Sequence, residues 1–172
     1  MTLERLLSAD ARWSESLRRA ERPGLLHLAA SILAHSGDSW FWALGLAIVA
    51  WRGDAFWRSW AVHILISIGV LAVLVLTIKL LVRRRRPPGE WGAIYRTTDP
   101  HSFPSGHAAR AVLLAILLTA WGPAWAAPVA IVWAPLVALA RVMLGVHYLS
   151  DVFAGGLLGL AAALVVVTVA SP

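Results

Sequence analysis

The chain has 172 residues, of which 59% are hydrophobic and 14% are charged, whereas about a quarter of the residues in a soluble domain are charged. The mean hydropathy is +0.72 and the formal net charge is +6; the basic residues lie beside apolar runs, which favours anionic lipid headgroups over nucleic acid as partners. We therefore expect an integral membrane protein of one domain, residues 1–172, without disulfide or thiolate chemistry because the chain has no cysteine.

Residues 1–22 predict a helix that lies on the membrane surface. They contain five arginines and four acidic residues around scattered leucines and one tryptophan. A secretory signal peptide has one short basic head and then an apolar core, so we expect none here. Apolar residues at helical spacing in a charged segment are typical of an amphipathic surface helix. A frayed polar tail is the alternative interpretation.

Long apolar runs predict an all-α integral membrane bundle of six transmembrane helices between residues 24 and 170. The six predicted segments are 24–35, 39–52, 58–82, 105–122, 125–144 and 148–170. The first two are short for a bilayer, so we expect them to form a hairpin that turns at 36–39, with Asp38 capping the second helix. Residues 83–104 form one long polar loop, which we expect to be functional because the motifs described below bracket it.

Six crossings would place both termini on one side of the membrane and the motifs on the other. The terminal side would then carry seven arginines and the motif side four, not counting the basic residues of the motifs themselves. The seven are Arg5, Arg12, Arg18, Arg19, Arg22, Arg52 and Arg58; the four are Arg83, Arg84, Arg85 and Arg96. Because cytoplasmic loops carry the excess of basic residues, we expect a multi-pass cell-membrane protein with cytoplasmic termini and an extracytoplasmic motif face.

Three basic residues near the predicted loop ends are candidate phosphate ligands. Lys79 and Arg86 are seven residues apart, close to two helical turns, and Arg141 lies near the end of the fifth predicted helix. Three permanent cations suit phosphoryl transfer, which depends mainly on positioning and charge stabilisation. The alternative for Lys79 or Arg86 alone is snorkelling at the membrane boundary, which is our expectation for the run 83–85.

Pro104-Ser105-Gly106-His107 opens the fourth predicted helix. The start of a helix presents unpaired N–H groups and a positive dipole end, which favour an anion. Gly106 allows a phosphate to approach the backbone closely, and Ser105 can cap the helix or donate its hydroxyl. A plain helix cap without a ligand is the alternative.

His147 and Asp151 are four residues apart at the start of the last predicted helix, so they share one face. A carboxylate in that position can hold one imidazole nitrogen protonated and direct the other outward. The alternative is a structural polar pair, although ionisable pairs at membrane depth are costly and usually functional.

The order and spacing Lys79-x6-Arg86-Pro87, Pro104-Ser105-Gly106-His107 and Arg141-x5-His147-x3-Asp151 resemble the signature of the type 2 phosphatidic acid phosphatases, which are related to the vanadium haloperoxidases. The resemblance implies that His147 is a nucleophile that forms a phosphohistidine, that Asp151 orients it, and that His107 protonates the leaving group. It also implies phosphate binding by the three cations, Ser105 and Gly106. The third motif usually begins Ser-Arg, but residue 140 is alanine, so one hydroxyl ligand is missing.

The resemblance implies a metal-independent membrane phosphatase of a lipid phosphate or diphosphate, with no cofactor and no metal. Candidate substrates are polyprenyl diphosphates, polyprenyl-phosphate sugars, phosphatidylglycerophosphate and phosphatidate; the small chain favours a polyprenyl carrier. A non-catalytic lipid-binding or transport protein and a vanadate-dependent peroxidase are the alternatives. A headgroup contact is the less favoured interpretation of His101, whereas we expect Gly155-x3-Gly159 to serve close helix packing. The oligomeric state stays open.

Overall fold

The computed structural model describes residues 3–89 and 99–172, apart from the side chain of Leu3. The described residues form seven helices and one isolated antiparallel bridge between Arg85 and His101. The helices are α1 (Leu3–Leu17), α2 (Leu25–Ser36), α3 (Ser39–Arg52), α4 (Ala55–Val82), α5 (Gly106–Trp121), α6 (Ala126–Met143) and α7 (Leu149–Val169). The all-α prediction is confirmed, and each predicted segment in 24–170 matches a helix to within three residues at either end.

Three helices, α4, α6 and α7, are each long and apolar enough to cross a membrane. The pair α2 and α3 passes the same test as one broken span, and α5, with 16 residues, is apolar but shorter. Large aliphatic side chains on α4, α6 and α7 are exposed on the outside of the bundle, as expected of surfaces that face lipid. The chain is therefore a membrane-spanning helical protein, although six full crossings are not confirmed.

The predicted hairpin at residues 36–39 is wrong, because α2 and α3 meet at a bend of only 49°. They run along α6 in one direction: α2 packs near Ala140, Ser36 Oγ accepts a hydrogen bond from Trp133 Nε1 at 2.8 Å, and the end of α3 lies near Ala126. Backbone carbonyls at the break are satisfied inside the bundle. Ser36 O accepts from Trp42 Nε1 at 2.9 Å, so this backbone carbonyl has a hydrogen-bond partner within the protein and does not need water.

The prediction that both termini lie opposite the motifs is also wrong, because α1 packs against the start of α7. Leu149 N donates to Ser14 Oγ at 2.9 Å, and Ser150 N donates to Asp10 Oδ1 at 3.0 Å. Two of the free N–H groups at the start of α7 are thereby capped by another helix. Since α2 and α3 continue in one direction, the N-terminal segment lies on the motif side, and the end of α7 lies on the other.

Two glycines allow α7 to approach α5 closely, in agreement with the predicted packing role of Gly155-x3-Gly159. A Cβ atom at Gly155 would lie 2.4 Å from Ser105 O, and one at Gly159 would lie 2.1 Å from Ala109 O. Either distance is far below a normal contact. Backbone-to-backbone packing of this kind requires a residue without a side chain, and it fixes the start of α5 against the start of α7.

Candidate active site

The three sequence motifs meet at one cavity of about 760 Å³. Most of the predicted site residues line it: Lys79, Arg86, Gly106, His107, Arg141 and His147. The other two, Ser105 and Asp151, are fully buried beside these residues. Because these side chains come from α4, the following loop, α5, α6 and the α6–α7 connection, their convergence follows from the fold.

His147 lies in the connection between α6 and α7 and is almost fully buried. Its Nδ1 is 3.6 Å from Asp151 Oδ2, and its Nε2 is 3.3 Å from Arg86 Nη1. Burial, together with the positive charges of Arg86, Arg141 and Lys79, holds the pKa of His147 well below its ordinary value. The imidazole is therefore neutral near pH 7, and Nε2 is the nitrogen directed toward the cations. A neutral imidazole nitrogen is the form that can act as a nucleophile.

Asp151 is held by more groups than the sequence indicates. Its Oδ2 accepts from Tyr148 N at 2.8 Å, and its Oδ1 accepts from Arg84 Nη1 at 2.7 Å. Arg84 also donates to Asp10 Oδ2 at 2.7 Å, and its guanidinium stacks over the Tyr148 ring. The expectation that Arg84 snorkels to the membrane boundary is therefore wrong: this arginine links α1 to the carboxylate beside His147.

Lys79 and Arg86 converge on the carboxylate of Asp99. Asp99 Oδ2 accepts from Lys79 Nζ at 2.7 Å and from Arg86 Nη2 at 2.8 Å. Burial alone would raise the pKa of Asp99, but the hydrogen bond and charge of Lys79 and the charge of Arg86 lower it below its ordinary value. A carboxylate oxygen thus lies between two of the predicted phosphate ligands.

Arg141 supplies the third cation of the cavity. It projects from the last turn of α6, lines the cavity and has an exposed fraction of only 1%. His101, for which a headgroup contact was the less favoured interpretation, also lines the cavity, and its carbonyl oxygen accepts from Lys79 Nζ at 2.8 Å. Arg96, one of the four arginines that the sequence analysis counted on the motif side, lies outside the described residues.

The residues of the predicted anion motif have two roles at the start of α5: one caps the helix and the others line the cavity. Ser105 is the N-cap, and its Oγ accepts from Ala108 N at 3.4 Å. Gly106 lies at the cavity wall. His107 also lines the cavity, and its Nε2 lies 2.7 Å from Asp38 Oδ1. We had expected Asp38 to cap α3. This prediction is wrong, because the Asp38 side chain makes no capping hydrogen bond.

Sequence reasoning missed three acidic or basic partners: Asp38, Arg84 and Asp99. Asp38 and Asp99 sit next to glycine or proline and read as turn residues, and Arg84 is one of four consecutive arginines. Each makes its main contact with a residue at least 13 positions away in sequence. A local pattern contains no signal for such pairs.

The fold brings two histidines and three cations to one cavity of a membrane-spanning helical protein. Residues 60–171 match the model of the PAP2 superfamily. The chain therefore belongs to this superfamily and is a membrane phosphatase of lipid phosphates, so the predicted family is confirmed.

The similar proteins are phosphatases of lipid phosphates. The decaprenylphosphoryl-5-phosphoribose phosphatase of Mycobacterium tuberculosis is 38% identical over 144 residues, which are 81% of this chain and 77% of that protein. The undecaprenyl-diphosphatase of Sulfolobus acidocaldarius is 35% identical over 106 residues, which are 59% of this chain and 51% of that protein. The crystal structure of the transmembrane PAP2-type phosphatidylglycerolphosphate phosphatase from Bacillus subtilis superposes with a TM-score of 0.74 at 27% identity, covering 94% of this chain and 84% of that one.

Proposed function

We propose that the protein removes a terminal phosphate monoester from a sugar carried on a polyprenyl phosphate. The observation that carries this proposal is the 38% identity, over 81% of the chain, to a phosphatase named for decaprenylphosphoryl-5-phosphoribose. The small size of the chain favoured a polyprenyl carrier at the sequence level. A polyprenyl diphosphate is the second candidate, supported by the 35% identity to an undecaprenyl-diphosphatase.

The shape of the cavity supports a substrate with a charged head and a long apolar tail. Its cationic end contains Lys79, and its wall continues down α4 through Val75, Ala72 and Ile68. Lys79 and Ile68 are eleven positions apart on the helix, which corresponds to about 16 Å along the helix axis. A phosphate held by the cations would therefore leave the tail beside apolar side chains at membrane depth.

The arrangement supports a two-step displacement at phosphorus. His147 Nε2 attacks the phosphorus atom, the bond from phosphorus to the leaving oxygen breaks, and His107 gives that oxygen a proton. Water then attacks the phosphohistidine, His107 takes a proton from this water, and inorganic phosphate leaves. Lys79, Arg86 and Arg141 stabilise the charge on the equatorial oxygens. Asp151 Oδ2, 3.6 Å from Nδ1, stabilises the positive charge that His147 gains.

The test is release of inorganic phosphate by the purified protein in detergent. The substrate panel contains a polyprenyl-phosphate sugar phosphate, a polyprenyl diphosphate, phosphatidylglycerophosphate and phosphatidate. We expect the highest kcat/KM with the sugar phosphate and no turnover by His147→Ala, which removes the nucleophile. Equal rates across the panel would contradict the substrate proposal. Turnover that survives in His147→Ala would contradict the mechanism, and a protein inactive on every substrate would favour a lipid-binding role.

We propose five membrane crossings rather than six, with α2 and α3 forming one. Together these two helices contain 26 residues, or about 39 Å of helix against a hydrocarbon core of about 30 Å. We propose that α1 lies at the membrane surface on the motif side. Its exposed Leu6, Leu7 and Trp13 flank the polar residues that dock it on α7, which supports a position at the level of the lipid.

This arrangement reverses the orientation expected from the sequence. With the N-terminal segment on the motif side, its five arginines join Arg83 and Arg85, whereas the opposite side has Arg52 and Arg58. The excess of basic residues marks the cytoplasmic side. We therefore propose that the active site faces the cytoplasm.

Single cysteines in this cysteine-free chain test the orientation. Ala55→Cys lies at the start of α4 on the side away from the site, and Ala11→Cys lies on α1; both positions are exposed. An impermeant thiol reagent should label Ala55→Cys in intact cells and Ala11→Cys only after lysis. The reverse pattern would restore an outward-facing site.

A further inference from the structure

The break between α2 and α3 brings a carboxylate to the second histidine of the cavity. Asp38 Oδ1 lies 2.7 Å from His107 Nε2, and Asp38 Oδ2 lies 3.0 Å from His35 Nδ1. An ionised carboxylate only accepts hydrogen bonds, so the proton of the His107 pair is on Nε2. Asp38 is 69 residues away from His107 in sequence and belongs to none of the three motifs.

The local backbone is built to keep Asp38 in this position. The Gly37 carbonyl oxygen accepts from Arg110 Nε at 2.7 Å. A Cβ atom at Gly37 would lie 3.0 Å from Val137 Cγ1 and 3.5 Å from His107 Cδ2, so the break packs directly against the imidazole. Asp38 occupies the N-cap of α3 without capping it. Its carboxylate contacts His107 instead of the free N–H groups at the start of α3.

Three charged side chains act on His107 from three different parts of the fold. Asp38 faces His107 from the break, Arg110 from its own helix and Arg141 from α6. Two permanent cations oppose a positive imidazolium, and one carboxylate favours it. Among the described residues whose charges act on His107, Asp38 is the one that stabilises the protonated ring.

We propose that Asp38 is a positioning residue for the general acid, so that the site contains two histidine–aspartate pairs. The inference rests on the proposed function of His107. With Nε2–H held by Asp38, Nδ1 is the nitrogen that gives a proton to the leaving oxygen in the first step. The ring is then neutral and still bonded to Asp38, and Nδ1 accepts the proton of the attacking water in the second step.

The test compares Asp38→Asn with the wild type on an alkyl lipid phosphate and on p-nitrophenyl phosphate, whose leaving group needs no protonation. General acid catalysis contributes about 100-fold or more, so we expect kcat to fall about 100-fold on the alkyl phosphate. On p-nitrophenyl phosphate we expect the rate of the first step, measured as the burst of p-nitrophenol, to fall by less than about threefold, since this step needs no acid; KM should be unchanged on the alkyl phosphate. The acid is active when protonated, so losing the carboxylate should move the basic limb of the kcat–pH profile to lower pH.

Matched variants separate this role from a structural one. His35→Gln removes the other partner of Asp38 and should leave both rates and the pH profile unchanged. In a His107→Ala background, Asp38→Asn should add less than a twofold loss. If Asp38→Asn does not fold, as judged by size exclusion and thermal unfolding in detergent, Asp38→Ser takes its place with the same expectations.

A loss in the p-nitrophenol burst equal to the loss of kcat on the alkyl phosphate, with an unmoved basic limb, would overturn the proposal, as would a full additional loss in the His107→Ala background. Failure of the proposed function would look different. In that case His147→Ala would retain hydrolysis of p-nitrophenyl phosphate, whatever Asp38→Asn does.

Discussion

The close approach of α7 to α5 predicts a large effect from one added methyl group. In Gly155→Ala the new Cβ would lie 2.4 Å from Ser105 O, where ordinary contact begins at 3.4 Å. The two helices must therefore separate by about 1 Å. That separation would strain the hydrogen bond from Ser105 N to Asp151 O, now 2.9 Å, and displace His107 relative to His147.

The expected magnitudes follow from this displacement. Overpacking of this kind costs about 1–3 kcal/mol of stability, and a misplacement of about 1 Å in an active site can cost about 100-fold in rate. We expect Gly155→Ala to lower the melting temperature in detergent and to lower kcat by about 100-fold. The loss of kcat should persist when the rate is normalised to folded protein by size exclusion.

The neighbouring glycine provides a matched control. A Cβ atom at Gly156 would have its nearest contact at Val112 Cγ2, at an ordinary 3.7 Å. Gly156→Ala is the same substitution in the same helix, so it should leave kcat and the melting temperature close to the wild-type values. A Gly155→Ala protein with the turnover and melting temperature of Gly156→Ala would refute the argument.

Three further predictions concern the charges of the site. Arg84→Gln should lower kcat about tenfold with little change in KM, because Arg84 holds Asp151 rather than the phosphate; an effect on KM alone would contradict this role. Asp99→Asn should tighten inhibition by inorganic phosphate about fivefold, since it removes a partly exposed carboxylate that competes for Lys79 and Arg86. The pKa of Asp99 is lowered, so this carboxylate is fully charged at mildly acidic and neutral pH. The difference in phosphate inhibition between Asp99→Asn and the wild type should therefore not vary with pH in that range. Weaker inhibition of Asp99→Asn would contradict the competing role of Asp99. Vanadate should inhibit as a transition-state mimic and EDTA should not, whereas activity lost on chelation and regained with magnesium would contradict a site that relies on its own cations.

The sequence predicted the helices and the convergence of the motifs because both depend on strong local signals. Apolar runs give the helix lengths, and Pro87 marks the end of α4 closely. The motif residues lie at helix ends, and a bundle whose neighbouring helices alternate in direction brings such ends to one face. Arg141 and His147 could therefore be placed together without knowledge of side-chain contacts.

The small bend between α2 and α3 could not be read from the turn signal. Ser36, Gly37 and Asp38 have the composition of a solvent-exposed turn, but a break inside a bundle has the same composition when other helices satisfy its polar groups. Arg110, Trp133 and His107 supply those partners, and they are distant in sequence. The informative clue was length, since 12 and 14 residues are each short for a crossing and together are sufficient.

The docking of α1 bears on how the protein is prepared for crystallisation. A truncation that starts at Pro23 looks harmless, since it removes a charged terminal segment in front of the apolar helices. It would also remove the two side chains that cap the start of α7 and one of the two carboxylates held by Arg84. Shortened versions designed for better crystals would therefore be poor samples for enzymology, and purification tags belong at the C-terminus, at the far end of α7.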